Sequence, residues 1–234
     1  MYVIALIQAR LGSNRLPCKM MLDLHGLPII DWVVRRVSKA HLLDRVIVAI
    51  PDGELDDVLN LHLQKQGIAV FRGPENDVLK RFVLAAEEAA DKRLDAHVVR
   101  VCADNPLIWG AEIDNLIRRY MQLTDKKNAY VYNHIPRNNL YPDGLGAEIV
   151  SLDTLRLLDE KTTRPEQREH CLSYIWDNPG DFLISTFDPE DVRLRRPDIK
   201  LDLDKPEDYR RLALLPIKPE TAPLDIVPLF PPAP

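Results

Sequence analysis

The chain has 234 residues, 46% of them hydrophobic and 29% charged, with 36 acidic against 31 basic side chains and a formal charge of −5. This length predicts one large domain with a buried core, and a weakly acidic chain argues against a nucleic-acid partner while leaving room for a local basic pocket. No apolar run approaches the roughly 20 residues that span a bilayer, and Cys18, Cys102 and Cys171 are too scattered for a disulfide framework or a thiolate zinc site, so a cytoplasmic, non-membrane protein is expected.

In chain order, a short apolar run at residues 2–7 reads as the first strand, cut off by Gln8 and Arg10. Residues 28–41 place Ile29, Val33, Val34 and Val37 on one stripe, with Pro28 suited to a first helical turn. Strands are expected at 45–50 and 68–71. A helix follows over 77–92, opened by a capping Asp77 and lined by Val78, Phe82, Ala86 and Ala89. A fourth strand is expected over residues 96–102. Alternation of this kind predicts a mainly parallel sheet with helices on both faces.

The second half is less regular. A strand is expected at 129–133, a Pro142-Asp143-Gly144 turn within 141–149, and helices at 151–161 and 165–178. Strands at 182–187 and 199–203 precede a helix that Pro206 starts. From Pro216 onward, prolines at 219, 223, 228, 231, 232 and 234 predict extended, partly ordered chain rather than regular structure. The organisation expected is a single domain over 1–215 with a proline-rich tail at 216–234, without internal repeats.

The strongest chemical signal is the segment 8–19 directly after the first strand, where ligands bind in open parallel sheets. Arg10, Arg15 and Lys19 are permanent cations, and Gly12, Ser13 and Asn14 permit a tight turn. Guanidinium forks, an ammonium and exposed backbone N–H groups suit a triphosphate, although three cations also suit a solvated loop. Cys18 and Met20 stand where a Walker loop needs Gly and Ser or Thr, and no GxGxxG is present. Asp104, at the end of the fourth strand, can hold magnesium, a hard cation that prefers oxygen ligands. Asp202 and Asp204 lie two apart in a strand-like run, and period-two geometry puts them on the same side, as an edge-strand charge pair or as a metal platform.

Residues 8–19 resemble the ARxxSxRLPxK signature of CTP-dependent sugar-acid cytidylyltransferases, the group of CMP-N-acetylneuraminate and CMP-Kdo synthetases. The resemblance is closer to the family of the spore coat polysaccharide biosynthesis protein SpsF. It is carried in order by residues 71–79, 100–108, Tyr141-Pro142-Asp143-Gly144, Arg168-Glu169-His170 and 204–208, spanning roughly residues 2–215.

This resemblance implies a Rossmann-like (GT-A-like) nucleotidyltransferase domain, a three-layer sandwich with a mainly parallel mixed sheet. It implies a homodimer in which roughly 129–180 supplies the acceptor site and an insertion reaching the partner subunit. The implied reaction transfers CMP from CTP to an acidic, nonulosonic-type sugar for surface polysaccharide or glycoconjugate synthesis, with Mg2+ and release of pyrophosphate. Arg10, Lys19 and Asp104 are the implied catalytic residues. Ala9, Arg10, Gly12, Ser13, Arg15, Lys19, Arg72, Asp77 and Asp104 are the implied nucleotide set, and Asp104, Asp202 and Asp204 the metal ligands. Tyr141, Asp143, Glu148, Arg168 and His170 are the acceptor candidates. Cys18 and Ala103 depart from the family's common glycines, and Asn105 replaces a frequent Cys or Thr. Another nucleotide with a sugar phosphate, or a nucleotide-binding scaffold without catalysis, are the alternatives.

Overall fold

The computed structural model describes residues 1–231; Pro232 and Pro234 of the expected tail lie outside the described residues. The first strand, β1 (Tyr2–Gln8), sends Val3, Ala5 and Ile7 into one core and Ile4 and Leu6 into the other. An apolar run buried on both faces is what a central parallel strand requires. After it come a short hairpin of β2 (Asp23–Leu24) and β3 (Leu27–Pro28), helix α1 (Ile29–Val37), β4 (Arg45–Pro51), α2 (Asp57–Lys65), β5 (Val70–Gly73), α3 (Val78–Ala90) and β6 (Ala96–Cys102). The second half contributes α4 (Gly110–Met121), β7 (Ala129–Tyr132), β8 (Glu148–Ser151), α5 (Leu152–Lys161), α6 (Pro165–Glu169), α7 (Ser173–Asp177), β9 (Leu183–Thr186), α8 (Pro206–Leu214) and α9 (Pro223–Ile226).

The main sheet has seven strands in the order β5-β4-β1-β6-β8-β7-β9. Pairing is parallel except around β8, which runs antiparallel to both β6 and β7. Helices α1, α2 and α4 bury their apolar sides on one face, and α3 and α5 bury theirs on the other. The result is the expected three-layer α/β sandwich with a mainly parallel mixed sheet. Chain order reverses across β1: β4 and β5 continue to one side while β6 lies on the other. Gln8 pairs with Cys102 at the carboxyl ends of β1 and β6, and a crevice forms just beyond them.

Several elements differ from the sequence expectation. Helices α2 and α4 lie where no helix was expected: α2 shows no clean stripe, whereas α4 carries one, Ile113, Leu116, Ile117 and Tyr120, that the sequence reading passed over. In α2 only Leu59 and Leu63 are buried while Val58 and Leu61 face solvent, and α4 buries Glu112 and Asp114 beside Ile113 and Ile117. Strand β8 was hidden by its charged Glu148. The expected helix over 165–178 breaks into α6 and α7 at the residues between Glu169 and Ser173.

Residues 199–203 form no strand. Lys200 makes one isolated bridge to Asp143, and its neighbours belong to no ladder.

The proline-rich tail is more structured than extended chain: Pro223 opens α9, a 3-10 turn follows, and Ile217, Ile226, Val227 and Phe230 join the core. Proline in a first helical turn is tolerated because its missing N–H would have had no partner there. The tail is held by arginines. Buried Arg36 donates to the carbonyls of Pro219 and Thr221 and also to those of Leu107 and Ile108, with its guanidinium 4.6 Å from the centre of the Trp109 ring. Burial pushes this guanidinium down to about 10, with Glu220 opposing. Arg196 donates to Phe230 and Pro231 carbonyls.

Candidate active site

The loop after β1 is folded around Leu11. The Leu11 carbonyl accepts from the backbone N–H of Ser13 and of Cys18, and its own N–H donates to buried Asp56 at 2.7 Å. Burial raises the Asp56 carboxyl above its usual range even though this N–H favours the charged form. Cys18 sits at φ 54, in the left-handed region that glycine favours, so the family's common glycine has a conformational cause here. Ala103 is not among the positive-φ residues, and alanine fits that position without backbone strain.

This loop walls a cleft of about 320 Å³ over the crevice between β1 and β6. Ala9, Arg10, Gly12, Ser13, Arg15 and Lys19 line it on one side, and Asp104, Glu169 and His170 on the other. Lys19 Nζ lies 3.3 Å from Asp104 Oδ2 and 3.9 Å from Asp204 Oδ1, and it donates to the Leu203 carbonyl at 3.1 Å. Arg15 pairs with Asp204 at 2.9 Å, and Arg10 with Glu169 at 3.0 Å. Each cation of the loop is thus held by a carboxylate across the cleft.

The acidic side is assembled from three distant segments. The backbone of Asp143 bonds both Ile199 and Leu201, while Leu203 N–H donates to the Asp104 carbonyl at 2.7 Å. Gly144 at φ +87 passes so close to the Asp202 backbone and the Asn105 side chain that a Cβ there would stand 3.1 Å from Asp202 N. Burial and the neighbouring Asp202 push the Asp143 carboxyl up to about 6, and burial also raises Asp202. Lys200 Nζ lies 3.2 Å from Asp202 Oδ2 and 3.8 Å from Asp204 Oδ2, so the two aspartates do share one side. Lys200 was missed by the sequence reading, although its spacing of two and four from those acids was the available signal.

Behind the cleft Arg100 carries the floor. It donates to Gln8 Oε1 from Nε and Nη2, at 3.2 and 2.9 Å, and to Glu148 from Nη1. Tyr130 also donates to Glu148. Burial pushes Glu148 up, but His134, Arg100 and these hydrogen bonds prevail and hold the carboxyl below its ordinary value. Arg100 and Asp56 are further residues that the sequence reading did not place in the site.

Of the expected site residues, Arg72, Asp77, Tyr141, Asp143, Glu148, Arg168, Asp202 and Asp204 do not line the cleft, although Asp204 pairs with Arg15 and Lys19, which do. Arg72 pairs with Asp57 and with the Asp52 and Gly53 carbonyls. Asp77 caps α3 through the Lys80 N–H and holds Arg168 at 2.7 Å. Arg168 is further bound to Asp159, making a tie between α3, α5 and α6. Tyr141 is fully buried, its hydroxyl donating to Glu112 at 2.6 Å. Glu148 and His170 instead line a smaller adjoining cavity, which His170 shares with the cleft.

Magnesium suits the acidic wall. Its donors are all hard carboxylate oxygens, and Asp202 Oδ1 is buried without a hydrogen-bond partner. No three His, Cys, Asp or Glu side chains converge on one point among the described residues.

An open α/β sheet with a cationic loop at its switch point and carboxylates opposite defines a nucleotidyltransferase. Comparison with known proteins agrees. A cytidylyltransferase family model matches residues 4–220. The spore coat polysaccharide biosynthesis protein SpsF of Bacillus subtilis is 30% identical over 218 residues, covering 91% of this chain and 85% of that protein. A cytidylyltransferase structure from Leptospira borgpetersenii serovar Hardjo-bovis superimposes with a TM-score of 0.85 at 28% identity, covering 98% of this chain and 93% of that one. A CMP:2-keto-3-deoxy-manno-octonic acid synthetase complexed with CTP shares the fold, with a TM-score of 0.63 at 19% identity and coverage of 91% and 97%. The chain belongs to the cytidylyltransferase family, and it is a CTP-dependent nucleotidyltransferase.

Proposed function

We propose that this enzyme transfers CMP from CTP to an acidic sugar of the nonulosonic type and releases pyrophosphate, within surface polysaccharide or glycoconjugate synthesis. One observation carries the reading. Arg10, Arg15 and Lys19 converge on one cleft whose far wall is Asp104, so phosphate-binding cations face a carboxylate across a space of nucleotide size. The acceptor class is supported by relatives whose names refer to spore coat polysaccharide biosynthesis and to 3-deoxy-manno-octulosonate.

In this reaction an acceptor oxygen attacks the α-phosphorus in line, the bond to the bridging oxygen breaks, and the electron pair leaves with pyrophosphate. Arg10, Arg15 and Lys19 exchange their carboxylate partners for phosphate oxygens and stabilise the charge gathering on the leaving group. Asp56 keeps the loop backbone in place through Leu11 while this happens. Asp104, Asp202 and Asp204 would hold magnesium, which when bound neutralises phosphate charge. No covalent enzyme intermediate is needed. Residues 129–180 are assigned by the same proposal to the acceptor side and to a homodimer contact.

The test is the melting-temperature shift with CTP, UTP, ATP and GTP, each with and without magnesium, because a ligand that binds only the folded state stabilises it. A magnesium-dependent shift confined to CTP supports the reading and leads to a pyrophosphate-release screen over acidic sugars. A preference for another nucleotide would redirect it to a related transferase, and no shift at saturation would sink it.

A further inference from the structure

The acidic wall gathers more carboxylates than one divalent ion neutralises. Asp143 lies within electrostatic reach of Asp104, Asp202 and Asp204. The cations that face these acids differ in where they can go. Arg15 and Lys19 line the cleft, so an incoming triphosphate draws them away from Asp204 and Asp104. Lys200 is not part of the cleft lining, and its backbone is held from two sides. Asp143 bonds the residues flanking it, Ile199 and Leu201, and Arg211 of α8 donates to the Lys200 carbonyl at 2.8 Å. Lys200 is therefore the cation that stays when the nucleotide arrives.

The paired aspartates present two different sides. On one, the Lys200 ammonium lies 3.2 Å from Asp202 Oδ2 and 3.8 Å from Asp204 Oδ2. On the other, Asp202 Oδ1 is buried without a hydrogen-bond partner, and Asp204 Oδ1 faces Lys19 at 3.9 Å. Once Lys19 moves to phosphate, the Oδ1 oxygens and Asp104 are left for a hard cation, while the Oδ2 oxygens keep their ammonium. Sites of this chemistry can hold a pair of divalent ions. Here one member of such a pair is replaced by a charge that belongs to the chain.

We propose that Lys200 sets the metal stoichiometry of the site: its ammonium is the fixed counter-ion of Asp202 and Asp204 and keeps a second divalent ion from bridging them. The inference rests on the magnesium reading given above and deepens it. Lys200 is a positioning residue in this role, acting on the carboxylates and not on the substrate.

Counting bound Mn2+ by the paramagnetic resonance of the free ion tests this. Mn2+ is titrated into the full chain, into Lys200→Met, which keeps the stem and removes the charge, and into Lys200→Arg, which keeps the charge. The count should rise from about one ion per chain to about two in Lys200→Met and stay at about one in Lys200→Arg. Adding Asp202→Asn to Lys200→Met should remove the second ion. The side chain is half-exposed, and melting temperature without metal is the folding control, with Lys200→Gln as the second variant if Lys200→Met does not fold. An unchanged or lower count in Lys200→Met overturns the proposal, as does a second ion in the original chain or in Lys200→Arg. If no chain binds Mn2+, the proposal also fails. The melting shift with CTP, with and without magnesium, then decides separately whether a metal enters with the nucleotide.

Discussion

Lys19 and Asp104 are 85 residues apart in the chain, yet the ammonium and the carboxylate meet at 3.3 Å across the mouth of the cleft. The contact follows from topology. Both residues lie just beyond the carboxyl ends of β1 and β6, which are adjacent and parallel, so two turns from distant parts of the sequence open onto one crevice. On the function proposed above, this contact holds Lys19 ready for the triphosphate and Asp104 ready for the metal.

Lys19→Ala and Asp104→Asn should therefore each cut turnover by about 100- to 1000-fold, the usual loss for a central charge-stabilising contact. Steady-state pyrophosphate release measures this, with melting temperature as the folding control. Near-normal rates in both purified variants would contradict the proposed roles.

Cys18 pays a conformational cost that glycine would not. At φ 54 an L-residue is disfavoured by roughly 1–2 kcal/mol, part of which is offset by the greater chain entropy that glycine loses on folding. Cys18→Gly is expected to stabilise the fold by up to about 1 kcal/mol in a urea titration. A clear loss of stability would show that the side chain makes a compensating contact.

The tail is expected to be structural. Arg36 satisfies four carbonyls, two after Asp104 and two in the tail, and Arg36→Met would leave all of them without that donor. Unsatisfied buried groups cost about 1–3 kcal/mol each, so a loss of at least about 3 kcal/mol is expected on denaturant unfolding. A chain ending at Leu215 should be destabilised in the same direction. Unchanged midpoints in both would mean that the tail packs without contributing.

Acid stability should carry a signature of His97. Burial, with help from the N-terminal ammonium, lowers this imidazole from 6.5 to about 4, and its Nδ1 lies 3.2 Å from the Tyr120 hydroxyl. Between those two values the unfolded chain binds a proton that the folded chain refuses. The contribution is therefore intact above about pH 6.5 and is lost progressively as the pH falls to about 4. His97→Gln should flatten the pH dependence of unfolding free energy in that window. An identical slope in the variant would show that other groups dominate.

Much of the fold was legible in the sequence because its signals are local. The strands β1, β4 and β6 are short Val- and Ile-rich runs buried on both faces, and α1 and α3 carry clear apolar stripes with recognisable first turns. Segments that mix charge with apolar positions did not announce themselves. Glu148 concealed β8 because its carboxylate is compensated by Arg100 and Tyr130 from neighbouring strands, a partnership invisible within four residues of sequence.

The site divides in the same way. The cations of residues 8–19 and the acids at 104, 202 and 204 were identifiable from residue type and position at strand ends. Tertiary structure alone decided that Arg72, Asp77, Arg168 and Tyr141 make ties within the scaffold rather than lining the cleft, since each found its partner in a distant element. It also brought Arg100 to the cleft wall, Asp56 to the loop backbone at Leu11 and Lys200 to Asp202, and packed the proline-rich tail onto the core through Arg36. The physical reason is common to all of these. Periodicity and turn chemistry act over a few residues, whereas hydrogen bonds and ion pairs are chosen by proximity across the fold.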